Sequence, residues 1–140
     1  LGYMIATRPI AEAVQKVLTT YSTSGLAQAA GLAALAQEAE ARRRIDIVIA
    51  QRERVVSALR EFVPDIPESQ GNFCWLPIGD LAAEVGRRFE SRGVIVRVFG
   101  TASRTAEKHG GVRISIGSPE ENDVLLKVAP AVFEGLSRKP

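Results

Sequence analysis

The sequence predicts an α/β fold in which several helices precede a small sheet and further helices cover it. Apolar residues recur at helical spacing through the first 62 residues. From residue 71 onward, short β-rich segments alternate with helical ones and are bounded by glycine and proline. The 140 residues are 46% hydrophobic and 24% charged, which is typical of a globular protein with a buried core.

The first third of the chain predicts a strand followed by two helices. The apolar run of residues 1–6 reads as a buried strand, and Pro9 then begins a helix that continues to Leu18. A polar interruption follows, in which Ser22 or Ser24 can cap a small, alanine-rich helix over residues 26–37. Because the chain begins within an apolar pattern and lacks a signal peptide, we expect a C-terminal part of a longer protein or a trimmed chain.

A long amphipathic helix is predicted over residues 38–62, with arginines on its solvent side. The remaining elements are strands at 72–76, 94–99 and 112–116, a helix at 80–91, and a final helix. Ser118 and Glu121 have capping-box spacing at the start of that final helix. The resulting order is β-α-β-β-α, with the first two strands parallel and the last two antiparallel.

Charge and residue counts exclude several classes of function. A net charge of +2 is too small for a nucleic-acid-binding surface, and no segment approaches the roughly 20 apolar residues of a membrane span. One cysteine, Cys74, and one histidine, His109, exclude an internal disulfide and argue against a metal site. A single unpaired cysteine suits a reducing compartment, and we expect a cytoplasmic protein.

Two arginines within predicted strands are candidates for binding an anion. Strand alternation places Arg97 on the face opposite the neighbouring valines, and places Arg113 with Ser115 away from the apolar residues. A guanidinium can bind a carboxylate or phosphate through two parallel hydrogen bonds. If the strands are neighbours, both arginines can face one anionic small molecule. The alternatives are an edge-strand arginine that extends into water and an ion pair within the domain.

Residues that could act as a nucleophile or general base are not evident. Cys74 lies between two aromatic residues in a strand and is predicted to pack in the interior. His109 lies in a polar loop, where a solvated side chain is expected. No catalytic residue is therefore assigned within this sequence.

Five segments, in order, resemble histidinol-phosphate aminotransferases and the related aromatic (phenylalanine) aminotransferases, which are fold-type I pyridoxal-phosphate enzymes. These segments span nearly the whole chain and are 1–3 (LGY), 21–30 (YSTSGLAQAA), 70–73 (QGNF), 93–97 (GVIVR) and 111–122 (GVRISIGSPEEN). The resemblance implies the C-terminal segment of the fold-type I transferase fold. Residues 1–36 would then be the end of the large cofactor-binding domain, and residues 37–140 the small C-terminal domain.

The resemblance also implies roles for five residues. Arg113 matches the arginine that binds the substrate α-carboxylate, and Arg97 matches a position that binds the anionic end of histidinol phosphate. Asn72 matches a position that lines the substrate pocket. Tyr21 and Ser22 match a segment that reaches the active site of the partner subunit, which implies a homodimer.

The implied activity is transfer of an amino group between an aromatic amino acid or histidinol phosphate and a 2-oxo acid such as 2-oxoglutarate. The family's Schiff-base lysine and most pyridoxal 5'-phosphate contacts lie upstream of the segments matched here, so the 140 residues alone are expected to be inactive. Two alternatives remain. One is a different fold-type I activity, a decarboxylase or lyase. The other is a non-catalytic α/β module that binds a carboxylate.

Overall fold

Five helices and three strands lie in the part of the chain that the computed structural model describes, residues 2–19, 21–100 and 110–136. The helices are α1 (Arg8–Val17), α2 (Gly25–Leu35), α3 (Glu38–Leu59), α4 (Ala82–Glu90) and α5 (Pro119–Phe133). The strands are β1 (Phe73–Leu76), β2 (Arg97–Phe99) and β3 (Gly111–Ser115). From β1 onward the order is β-α-β-β-α, as the sequence predicts, with a short 3₁₀ turn (Gly79–Leu81) before α4.

The chain divides into two compact units, Leu1–Arg43 and Arg44–Pro140, and the division falls within α3. In the first unit none of the described residues is buried, and large apolar side chains are exposed along both of its first two helices. The alanine-rich α2 contains no buried residue. The predicted boundary between a large domain (1–36) and a small domain (37–140) stays a prediction.

The prediction of a strand over residues 1–6 is wrong for residues 2–6, which are the part of this segment that the structure describes. Residues 2–7 form no regular secondary structure, and their side chains are exposed. A strand requires a neighbour to satisfy its backbone N–H and C=O groups. Every strand pair recorded in the described chain is formed by residues between Phe73 and Ser115.

Local capping signals are confirmed at two helices. Ser24, one of the two predicted caps, accepts a hydrogen bond from the Ala27 amide at the start of α2. At α5 the Ser118 hydroxyl accepts from the Glu121 amide, and the Glu121 carboxylate accepts from the Ser118 amide. These bonds satisfy N–H groups that an isolated helix end leaves unpaired.

The sheet has the strand order β1-β3-β2, and both edge strands are antiparallel to β3. β1 and β2 therefore run in the same direction, and β2 and β3 are antiparallel, as predicted. β2 is shorter than expected, since residues 94–96 lie outside the ladder. Val94 and Val96 nevertheless pack against the core.

One face of the sheet carries the hydrophobic core of the second unit. The buried side chains come from the end of α3, the loop after it, alternate strand positions, the segment just past each of β1 and β3, and the inner sides of α4 and α5. They are Val55, Leu59, Val63, Ile66, Cys74, Leu76, Ile78, Ala82, Val85, Phe89, Val112, Ile114, Ile116, Leu125, Ala129 and Val132. With the helices covering this face, the opposite face of the sheet carries the exposed side chains.

No helix within the described ranges is both long enough and apolar enough to cross a lipid bilayer.

Candidate active site: the arginine face of the sheet

Arg97 and Arg113 lie directly opposite each other across the antiparallel pair of β2 and β3. Both side chains are exposed, on the face of the sheet opposite the core. Trp75 on β1 lies opposite Arg113 from the other side, so the three side chains form a row across the sheet. Arg113 is on the central strand, which removes the edge-strand explanation for this residue.

Aromatic rings flank both guanidinium groups. The Cζ atom of Arg113 lies 5.4 Å from the centroid of the Phe73 ring, and that of Arg97 lies 5.6 Å from the centroid of Phe99. The rings of Trp75 and Phe99 meet edge to face, with centroids 5.5 Å apart. We call these five residues, Phe73, Trp75, Arg97, Phe99 and Arg113, the arginine face.

The arginine face carries two positive charges, and no carboxylate within the described residues pairs with either of them. Among the residues that the structure describes, neither the Arg97 nor the Arg113 side chain has an ion-pair or hydrogen-bond partner. Like charges placed directly opposite each other in a sheet destabilise the pair. An anion between the two guanidinium groups would relieve this repulsion, and a carboxylate matches the guanidinium fork.

The strand backbone explains why these residues share a face. Side chains alternate along a strand, so Phe73 and Trp75 point away from the core while Cys74 and Leu76 point into it. In the same way Val112 and Ile114 are buried, and Arg113 between them is exposed. The sequence analysis identified both arginines but missed the aromatic members of the face. The available signal was that Phe73 and Trp75 are two positions apart in a predicted strand, which places them on the same face.

Asn72 immediately precedes β1, and its side chain is exposed. Its backbone carbonyl accepts a hydrogen bond of 2.8 Å from the Ile116 amide, which ties the start of β1 to the end of β3. A groove adjoining it is lined by the loop Gln70–Asn72 and by α3 side chains that include Ile45 and Arg52. A role for Asn72 in a substrate pocket stays a prediction.

Tyr21 and Ser22 lie in the first unit, in the turn before α2. Tyr21 is 95% exposed and adopts a positive φ of 58°, which is uncommon for a residue with a side chain. An exposed aromatic on a turn is available for contact with another polypeptide. The predicted contact with a partner subunit stays a prediction.

Of the other titratable candidates, Cys74 does not contribute chemistry to the arginine face. Cys74 is fully buried, and desolvation raises the pKa of its thiol to about 11, so it is neutral at physiological pH. His109 lies outside the described residues. Within the described ranges, no cluster of three or more histidine, cysteine or acidic residues has the arrangement of a metal site.

The described residues do not fit the anchor of a pyridoxal phosphate. That cofactor requires a lysine amine beside a phosphate-binding cradle. The two described lysines, Lys16 and Lys127, are exposed on the helices α1 and α5. The arginine face is suited to binding an acid group.

Comparison with known proteins identifies the family. Residues 1–128 match the family described as aminotransferase class I and II. The chain belongs to this family.

The chain is similar to several enzymes named aromatic amino acid aminotransferase. It is 40% identical to that of Mycobacteroides abscessus over 131 residues, which are 94% of this chain and 35% of the relative. It is 38% identical to that of Streptomyces avermitilis over 91% of this chain and 33% of the relative. The chain thus spans about a third of the length of the curated relatives it matches.

A solved structure supports the fold. A crystal structure from Burkholderia pseudomallei K96243, of a protein assigned as an aminotransferase, aligns with 89% of this chain and 37% of its own chain. The TM-score is 0.69 and the sequence identity is 27%. The described α/β architecture is therefore that of a segment of a fold-type I aminotransferase.

Proposed function

We propose that this chain supplies the substrate-carboxylate site of a pyridoxal-phosphate-dependent aminotransferase that acts on aromatic amino acids and a 2-oxo acid such as 2-oxoglutarate. The observation that carries the proposal is the pair Arg97 and Arg113. The two side chains lie directly opposite on an exposed face, without a carboxylate partner in the described chain. Arg113, on the central strand, is proposed to bind the carboxylate next to the reacting carbon.

The surroundings of the arginines favour an aromatic amino donor over histidinol phosphate. Trp75 and Phe99 provide apolar surface beside the guanidinium groups. Histidinol phosphate has a phosphate and no carboxylate, whereas phenylalanine presents one carboxylate and one ring. The enzymes from Mycobacteroides abscessus and Streptomyces avermitilis are both named for aromatic substrates.

The amino acceptor in this proposal is a dicarboxylic 2-oxo acid. Its first carboxylate would bind Arg113 and its second would lie near Arg97, so that each guanidinium pairs with one charge. We also propose that the coenzyme is held by polypeptide other than the described residues and that the 140-residue chain alone does not transaminate. A cytoplasmic homodimer in which Tyr21 and Ser22 contact the partner's site completes the proposal.

The test replaces Arg113 by Gln in the complete enzyme that we propose contains this chain. Loss of a charge-assisted bidentate contact is expected to lower kcat/KM for phenylalanine about 10- to 100-fold. Arg92→Gln is the matched control, because Arg92 is an exposed arginine that bonds to the backbone at the end of α4. Arg97→Gln is expected to weaken use of 2-oxoglutarate more than use of phenylalanine.

The outcomes separate the alternatives. Unchanged kinetics with phenylalanine in Arg113→Gln would overturn the assignment of the carboxylate site. A preference for histidinol phosphate over phenylalanine would correct the amino donor. Release of CO₂ or ammonia in place of a new 2-oxo acid would identify a decarboxylase or a lyase.

A further inference from the structure

Phe73 is the member of the arginine face whose ring lies against the Arg113 guanidinium, with 5.4 Å between the ring centroid and the Cζ atom. We propose that Phe73 is a positioning residue, whose ring holds the Arg113 guanidinium in the orientation that binds the substrate carboxylate. This inference rests on the proposed function and adds to it a residue that acts through Arg113.

The guanidinium groups of the two arginines lie by different aromatic rings. Arg97 and Arg113 are paired residues, yet the first lies by Phe99 on its own strand and the second by Phe73 on β1. Both distances are within the roughly 6 Å at which a cation is attracted to an aromatic face. Each guanidinium group therefore lies by a different ring, and both side chains are exposed.

The Phe73 ring is itself held in place by the loop before β1. The Arg52 Nη1 atom donates a hydrogen bond of 2.9 Å to the Gly71 carbonyl, and the Ser69 hydroxyl donates one of 2.6 Å to the Phe73 carbonyl. A Cβ atom added at Gly71 would lie 3.0 Å from the ring carbon Cε1 of Phe73. The absence of a side chain at Gly71 therefore lets the ring lie close against the loop.

A fixed ring matters because Arg113 has no carboxylate partner among the described residues to hold its side chain in one rotamer. If the side chain becomes ordered only when substrate binds, the conformational entropy that it loses weakens binding. A ring that already restrains the guanidinium reduces this loss. Phe73 thus acts on carboxylate affinity through Arg113 and need not contact the reacting atoms.

The test compares Phe73→Leu and Phe73→Tyr in the complete enzyme, with phenylalanine and 2-phenylethylamine as the two probes. The amine lacks the carboxylate and otherwise resembles phenylalanine. Phe73→Leu is expected to raise the dissociation constant for phenylalanine about 2- to 30-fold and to leave that for 2-phenylethylamine within about twofold. Phe73→Tyr keeps the ring and is expected to bind phenylalanine nearly as the unmodified enzyme does.

The remaining outcomes overturn the inference in distinguishable ways. Equal weakening of both probes by Phe73→Leu would show a direct or general structural role. A tyrosine variant as impaired as the leucine variant would exclude the ring as the cause. If Arg113→Gln weakens phenylalanine binding and Phe73→Leu does not, only this inference fails. If Arg113→Gln has no effect, the proposed function fails and the inference fails with it.

Discussion

Asn122 is a buried polar residue that links three elements of the second unit, and we expect its replacement by alanine to lower the free energy of unfolding. It is only 1% exposed. Its side-chain amide donates to the Gly117 carbonyl at 3.0 Å and to the Gln51 Oε1 atom at 3.2 Å, and its Oδ1 atom accepts from the Gly117 amide at 3.1 Å. The side chain therefore joins α3 to the turn between β3 and α5.

The expected cost of Asn122→Ala follows from these three bonds. Each intramolecular hydrogen bond contributes about 1 kcal/mol net, and a buried group left without a partner costs more. Gly117 is half-buried, so water can replace some of the hydrogen bonds that its backbone N–H and C=O groups lose. We expect the free energy of unfolding to fall by about 2 to 3 kcal/mol.

The assay is urea unfolding of the 140-residue chain, followed by the fluorescence of Trp75. This residue is the single tryptophan of the sequence and lies on β1 in the same unit as Asn122. The comparison variant is Ser118→Ala, which removes the helix cap of α5 and is expected to cost about 1 kcal/mol. The reasoning is refuted if Asn122→Ala lowers the urea midpoint no more than Ser118→Ala does, provided that the free energy of unfolding falls with urea concentration at the same slope in both variants.

Two further predictions concern the packing of the sheet. Gly111→Ala is expected to destabilise the unit by about 1 to 3 kcal/mol and to change Trp75 fluorescence, because the added Cβ would lie too close to the Leu76 carbonyl and the Trp75 ring; an unchanged spectrum and midpoint would contradict this. Burial raises the pKa of Cys74 from 9.0 to about 11. Because the thiol pKa is higher in the folded state than in the unfolded state, the free energy of unfolding is unaffected by this group below pH 9. It falls by about 2 kcal/mol as the pH rises from 9 through about 11. Unfolding measured from pH 8 to 11 should show this loss in the unmodified chain and not in Cys74→Ala; parallel curves would exclude it.

The elements that the sequence predicted correctly depend on contacts close in the chain. The capping box at Ser118 and Glu121 involves residues three apart, and α3 follows from a helical repeat. Alternation of side chains also placed Arg97 and Arg113 on faces away from the apolar residues. These signals are local, so they can be read without knowing which segments meet.

The predictions that failed or stayed incomplete depend on which segments become neighbours. The apolar run at the N-terminus has the composition of a strand, but without a paired strand its described residues form none. The aromatic members of the arginine face were missed for a similar reason. Phe73 is 40 residues before Arg113 in the chain, and only pairing of β1 with β3 brings them together.

By itself, the sequence determined the helices, the inward and outward sides of each strand, and the family to which the chain belongs. The tertiary structure alone decided the order β1-β3-β2 and the register that sets Arg97 against Arg113. The physical reason is that strand pairing is a contact between distant segments. A shift of one residue along β2 would send the arginine to the opposite face, and packing of the partly buried Val94 and Val96 against the core favours the observed register.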